Sequence, residues 1–227
     1  MERIIAAARR FTHLVWYRLA RASLERTDAC SLFGLDLVIM PGVLHPRHFV
    51  SSRVLAEHVI GLDLCDKSVA DLGTGSGIQA LLAARMGARV TAIDVNPAAL
   101  ECASQNARRN NLADRLTMVA SDVFDQLDEG VRFDLIITNP PFYPRAAAGA
   151  SDQAFAAGPG NAFFVKLANS LPGRLEPGGA LLMIQSSDTN FRPISQSLEA
   201  RGMKGTVVRE SRGLFESLTI REFKPTG

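Results

Sequence analysis

The chain is poor in cysteine. Cys30, Cys65 and Cys102 are odd in number, far apart, and form no CxxC pair. This excludes a complete disulfide framework, gives no zinc pattern, and predicts a reducing, cytoplasmic setting with no bound metal. No apolar run approaches the roughly 20 residues that cross a bilayer. Neither sign of charge dominates. The 25 Lys and Arg against 23 Asp and Glu leave a net charge of +2, too balanced to bind nucleic acid by bulk electrostatics. The N-terminus lacks the compact apolar stretch and small-residue cleavage site of a signal peptide. No internal repeat and no long low-complexity segment is present.

What is present is the balance of an ordinary folded protein. Of 227 residues, 47% are hydrophobic and 21% charged, and a chain this long buries a core without staples. Residues 1–40 read as an N-terminal helical extension and 41–227 as the main domain. Within the extension, Arg3, Arg9, Arg10, Arg18, Arg21 and Arg26 outnumber Glu2 and Glu25. Ile4, Ile5, Ala8, Phe11, Val15 and Leu19 recur at nearly helical spacing. Such a basic helix suits either packing on the main domain or contact with an anionic membrane or phosphates.

From residue 67 onward, short β-rich runs alternate with helical patterns. Strands are expected at 67–72, 89–95, 116–120, 133–138 and 180–185. Helices are expected at 51–60, 77–86, 97–110, 161–171 and 194–201. Two late β-runs, 206–210 and 218–223, have no helix between them and should pair antiparallel at a sheet edge. The fold class is α/β: a Rossmann-like, seven-stranded, mainly parallel sheet with a C-terminal antiparallel hairpin and helices on both faces. Residues 143–160 are rich in Ala and Gly, lack periodicity, and read as a mobile loop.

The turn Asp71-Leu72-Gly73-Thr74-Gly75-Ser76-Gly77 follows the first of these strands. Its glycines permit a tight turn and close approach of a ligand. The dinucleotide fingerprint GxGxxG is not met, because Ile78 stands where its third glycine belongs. Asp71 also suits a cationic ligand better than a diphosphate. S-adenosylmethionine has an ammonium and a sulfonium but no phosphate, so Asp71 would attract its charge while the glycine amides hold its carboxylate. Asp94, at the second strand end, can accept from both ribose hydroxyls, and Asp122, at the third, can meet an adenine amino group through its carboxylate or the nearby backbone. All three lie where ligands bind to parallel sheets.

After the fourth strand comes Asn139-Pro140-Pro141-Phe142. Two prolines can simply end a strand. They also stiffen the turn, so that the Asn139 side-chain oxygen and the Pro140 carbonyl can each accept one N–H from a planar amide or amine. That would hold the nitrogen in line for group transfer and favour positive charge on it. Phe142 offers a flat face to the planar group, and Phe142 with Tyr143 could stack a nucleobase or form a hydrophobic lip for a glutamine side chain. His45 and His48 read as partly exposed loop histidines.

On these residues the chain resembles the class I S-adenosylmethionine-dependent methyltransferases. DLGTGSG, AIDVN, SD and NPPF resemble the signature positions of their amino-methylating members. The chain is most similar to the HemK-like protein-glutamine N5-methyltransferases, which modify peptide release factors. The resemblance implies S-adenosylmethionine held by Asp71, Gly73, Thr74, Gly75, Gly77, Asp94, Val95, Asp122, Val123 and Asn139. It implies catalysis by Asn139, Pro140 and Phe142. The segment before the 51–60 helix matches that family's Pro-Arg segment, so Pro46 and Arg47 join Pro141, Phe142 and Tyr143 as expected substrate contacts. The family's segment usually continues with acidic residues, where this chain has His48-Phe49-Val50-Ser51-Ser52. A protein substrate, possibly a release factor, is the leading expectation. Adenine N6 or guanine N2 of a nucleic acid, a small metabolite, and a catalytically silent cofactor-binding scaffold are the alternatives.

Overall fold

The computed structural model describes residues 24–141, 146, 155–187, 189–213 and 216–226. Two strands open it, β1 (Asp28–Leu32) and β2 (Leu35–Ile39), paired antiparallel. Phe33 and Gly34 between them both take positive φ, 53° and 71°. That is the two-residue turn whose twist matches right-twisted strands. Leu35, Leu37 and Ile39 point into the core and Asp36 points out. Residues 28–39 are therefore a β-hairpin, a correction to the helical extension expected through residue 40. The signal is weak because a Phe-Gly turn replaces the usual Asn-Gly or Asp-Gly. The basic helix expected before it lies outside the described residues.

The remaining elements are α1 (Val50–Val59), β3 (Ser68–Leu72), α2 (Ile78–Arg85), β4 (Arg89–Asp94), α3 (Pro97–Arg109), β5 (Leu116–Ala120), β6 (Phe133–Thr138), α4 (Ala162–Ser170), β7 (Leu175–Ser186), α5 (Arg192–Glu199), β8 (Met203–Arg212) and β9 (Ser217–Pro225). One seven-stranded sheet runs β5-β4-β3-β6-β7-β9-β8. Its first five strands are parallel, and β9 pairs antiparallel with both β7 and β8. This is the expected architecture. The largest displacement of a boundary is in β7, which begins at Leu175 and takes in Pro177-Gly178-Gly179 through a register shift opposite Phe133.

The strands at the centre are apolar because helices cover both faces. On one face α1, α2, α3 and the hairpin enclose a core around Leu37, Leu55, Leu81 and Ile137. On the other α4 and α5 enclose Ile136, Leu167, Leu181 and Phe223. Among the described residues, no helix is long and apolar enough to cross a membrane.

Local chemistry explains the element ends. Asn96 caps α3 by accepting from the Ala98 amide at 3.0 Å, and Pro97 occupies the first helical position, where no amide is needed. Two asparagines one turn apart on α3 then grip the edge of β2. Asn106 accepts from the Val38 amide (2.7 Å) and donates to the Val38 carbonyl and the Ser76 carbonyl (both 2.9 Å). Asn110 does the same to Asp36, accepting at 3.0 Å and donating at 2.9 Å. The side chains at i and i+4 of a helix match main-chain groups at i and i+2 of a strand. The hairpin is thereby tied to α3 and, through Ser76, to the glycine turn.

From β3 the chain winds outward through β4 to β5, then crosses back to β6 on the other side of β3. The carboxyl ends of β3 and β6 therefore frame the crevice where this kind of sheet binds ligands.

Candidate functional site

A cavity of about 390 Å³ lies over those strand ends. Its wall holds the glycine turn, Asp94 to Asn96, Ser121 to Val123, Asn139 and Pro141 from the sheet side. Ser52, Ile78 and Gln79 close it from α1 and α2, and Phe163 and Lys166 from α4.

The turn is braced from within. Gly73, Gly75 and Gly77 all take positive φ, 77°, 54° and 81°, which side chains disfavour. The Gly73 and Thr74 amides both donate to the Ile93 carbonyl, at 2.9 and 3.0 Å, and the Gly77 amide to the Thr74 carbonyl at 2.8 Å. The Gly75 amide donates to Asp94 Oδ2 at 2.9 Å. The Gly73, Thr74 and Gly75 amides hold the turn to β4 and the Gly77 amide closes the turn on itself, so these amides are not free to hold a ligand carboxylate, a correction to the expected role. What the turn offers a ligand is room: a Cβ on Gly73 would meet nothing within 4 Å, whereas one on Gly77 would strike Ala103 Cβ at 2.9 Å.

Asp71 is buried, and its Oδ2 accepts from Thr74 Oγ1 (2.7 Å) and the Ala80 amide (3.1 Å). Desolvation pushes its pKa up to about 7, with Asp94 adding repulsion and the two hydrogen bonds opposing. It is thus first a clamp between the turn and α2, and not the open anionic charge the sequence suggested. Asp94 is also raised by desolvation, against amide donors at Asn96, Gly75 and Val95. Gly75 occupies one direction on Oδ2, and Asn96 donates to Oδ1 at 2.9 Å. With Val95 also donating, the carboxylate is largely engaged by the backbone around it, and the acceptor capacity it keeps lies on the cavity lining.

Asp122 lies on the cavity lining at its rim. Its carboxylate is 61% exposed and binds Lys166 Nζ at 2.6 Å; Lys166 also pairs with Asp125. The ammonium on α4 holds this carboxylate at the rim, and Ser121 and Val123 on either side of it also line the cavity. Val95 lies exposed at the same rim. Val123 is buried with a φ of 55°, a left-handed conformation costly for a β-branched residue; the strained backbone turns at the cavity wall.

Asn139 leaves β6 with its amide oriented. Nδ2 donates to Ser52 Oγ on α1 at 3.1 Å, and Oδ1 is buried with no hydrogen-bond partner among the described residues. Pro140 is buried and Pro141 lines the cavity. Phe142 and Tyr143, and most of the expected mobile loop, lie outside the described residues. The strap before α1 lines the cavity with Gly42, Val43 and Leu44. Pro46 and Arg47, the expected substrate contacts, are not on this wall: Pro46 is buried and Arg47 exposed. Their neighbour explains why. His45 is buried, reaches Asp28 with Nε2 at 3.3 Å and stacks on His48 at 4.5 Å, so the segment turns back onto the hairpin. This also corrects the reading of His45 as partly exposed.

Ser52, Gln79, Phe163 and Lys166 were missed by sequence reasoning. Gln79 alone carried a signal, as the one uncharged polar side chain in the run Ile-Gln-Ala-Leu-Leu-Ala-Ala that forms α2.

Known proteins share this arrangement. A family described as Methyltransferase small domain matches residues 35–213. The chain is 40% identical over 147 residues to a release factor glutamine methyltransferase of Moorella thermoacetica, covering 63% of this chain and 51% of that one. It is 28% identical over 193 residues to a Methanocaldococcus jannaschii protein assigned by name to protein N5-glutamine methylation, covering 82% of this chain and 94% of the relative. The chain spans about half the length of the first relative and nearly all of the second. Among solved structures, a T. thermophilus 16S rRNA N2 G1207 methyltransferase in complex with AdoMet and guanosine aligns with a TM-score of 0.62 and 25% identity, over 89% of this chain and 50% of that one. The family match runs from β2 to the end of β8, across the whole sheet-side wall of the cavity, and the chain therefore belongs to the methyltransferase small domain family.

Proposed function

We propose that the chain is an S-adenosylmethionine-dependent N-methyltransferase whose acceptor is the primary amide of a glutamine side chain in a protein, a release factor being the substrate class in view. The observation that carries this is Asn139. A buried amide oxygen with no partner, on a cavity wall, with its own NH₂ group turned away onto Ser52, is an acceptor waiting for an N–H donor. Relatives named for glutamine methylation support the acceptor.

The wall suits S-adenosylmethionine. Asp94, on the cavity lining, keeps acceptor capacity for a ribose hydroxyl. Gly73 leaves open space beside the chain. Asp71, near neutrality on its own, gains a reason to ionise when an ammonium comes close. Lys166, the one cation among the described lining residues, is already engaged by two carboxylates and does not offer itself to a diphosphate.

When bound, S-adenosylmethionine supplies an electrophilic methyl on sulfonium. An amide nitrogen is a poor nucleophile because its lone pair is delocalised. Asn139 Oδ1 accepts one of its hydrogens, and the Pro140 carbonyl is assigned the other. These two bonds orient the nitrogen toward the methyl and strengthen as positive charge develops on it. The nitrogen then loses a proton that has become acidic, so no strong base is needed at the start. The apolar wall of Val43, Leu44, Ile78 and Phe163 keeps water from competing. Three unpaired cysteines fit work in the reducing cytoplasm.

The test combines methyl-labelled S-adenosylmethionine with cell extract, followed by separate protease and nuclease digestion. Label released by protease and absent from nucleotides is expected; label in RNA would instead make a nucleobase amine the acceptor. Asn139→Ala should lower single-turnover transfer by about 10²–10³ while cofactor affinity stays near wild type. Transfer at the wild-type rate would reduce the Asn-Pro-Pro segment to a strand terminator.

A further inference from the structure

Two carboxamides line the cavity, and in both the donor end is engaged and the acceptor end is not. Asn139 Nδ2 donates to Ser52 Oγ at 3.1 Å, and Gln79 Nε2 donates to the Ser52 carbonyl at 2.9 Å. The oxygens Asn139 Oδ1 and Gln79 Oε1 are buried and take no hydrogen bond from the described residues. Gln79 is only 4% exposed, so its unpaired oxygen has no ready solvent partner. One residue of α1, through its hydroxyl and its carbonyl, thus engages both amide donors and leaves both acceptors available.

We propose that Ser52 is a positioning residue that sets the polarity of the acceptor pocket, with Gln79 holding the Ser52 backbone in place. A carboxamide can be rotated end for end with little change of shape, so packing alone does not orient it. With Oδ1 free, the pocket selects groups that donate N–H, such as a primary amide or an exocyclic amine. With Nδ2 free it would select carbonyls, which bring no nitrogen to be methylated. Ser52 Oγ accepts the Asn139 donor and thereby holds the productive end forward. Gln79 does not touch that hydroxyl. It pins the first turn of α1 to α2, so that the hydroxyl stays opposite Asn139.

The inference rests on the proposed role of Asn139, and the tests separate the two. The first test needs no acceptor. In protein labelled with ¹⁵N-asparagine, the Asn139 side-chain NH₂ should exchange with solvent slowly. Ser52→Ala should move its resonances and speed exchange about 10-fold, the size of one neutral hydrogen bond. Ser52→Thr, which keeps the oxygen, should restore both. Unchanged resonances and exchange in Ser52→Ala would overturn the proposal. The second test is methyl transfer to cell extract. Ser52→Ala should lower kcat about 10-fold, leave the KM for S-adenosylmethionine unchanged, and be rescued by Ser52→Thr. Gln79→Met should show the same split in weaker form. If Asn139→Ala abolishes transfer and Ser52→Ala does not slow it, the positioning role is wrong and the catalytic role of Asn139 stands. If Asn139→Ala leaves transfer intact, the function itself falls.

Discussion

Gly73 and Gly77 share a backbone conformation and differ in what surrounds them, so one methyl group placed at each position separates folding from binding. Both have a positive φ, 77° and 81°. Alanine in this region costs roughly 1–2 kcal/mol, partly offset by about 0.4–1 kcal/mol from the stiffer unfolded chain. Gly73→Ala adds nothing further, since its Cβ has no heavy atom within 4 Å. At Gly77 the new Cβ lies 2.9 Å from Ala103 Cβ and 3.0 Å from Ala103 Cα. Both contacts are with rigid parts of α3, so the turn or the helix must shift, adding about 1–3 kcal/mol. Urea denaturation should therefore show Gly77→Ala destabilised by about 2–4 kcal/mol and Gly73→Ala by about 1 kcal/mol or less. Calorimetric titration with S-adenosylmethionine should rank them the other way. The Gly73 methyl enters the cavity directly and should weaken binding at least about 10-fold, the effect of some 1.4 kcal/mol. Equal losses of stability in the two variants would refute the packing argument. Wild-type affinity in Gly73→Ala would refute the assignment of that space to the cofactor.

Two further outcomes follow from buried polar groups. The Asp71 pKa is raised from 3.8 to about 7 by burial, so the folded state favours the protonated form. Its contribution is fully present below pH 3.8 and is lost as pH rises through about 7, on the order of 4 kcal/mol in all. The difference in unfolding free energy between wild type and Asp71→Asn should drift across that window to the wild type's disadvantage, and parallel profiles would refute the shift. Asn106→Leu strands the Val38 amide and the Ser76 carbonyl, and leaves the Val38 carbonyl only the weak Cys102 Sγ donor at 3.2 Å. At about 1–3 kcal/mol for each group left unpaired, two such groups should lose about 2 kcal/mol or more in chemical denaturation. A loss below about 1 kcal/mol would show that the hairpin is not held by this side chain.

The alternation of strand and helix was legible because it rests on local patterns. The bounds of β5 and β6 coincide with their apolar runs, and α3 begins where Asn96 and Pro97 say it should. The glycine turn and the Asn-Pro-Pro strand end were legible for the same reason: conformations open to glycine and closed to a proline amide are properties of the residues themselves. The hairpin of β1 and β2 was not legible, since its turn is Phe-Gly and its edge is completed by Asn106 and Asn110, which lie about 70 residues away in sequence. The acidic residues show the limit most clearly. Asp71, Asp94 and Asp122 look alike as strand-end carboxylates, yet one is buried as a clamp, one is held by the amides of the glycine turn and its own strand end on the cavity lining, and one is drawn to the rim by Lys166. Local sequence determined that a ligand crevice would form at the ends of β3 and β6. Only the packing of α1, α2 and α4 over that crevice decided which atoms face it, because a carboxamide or carboxylate takes its direction from partners that the chain brings from far away.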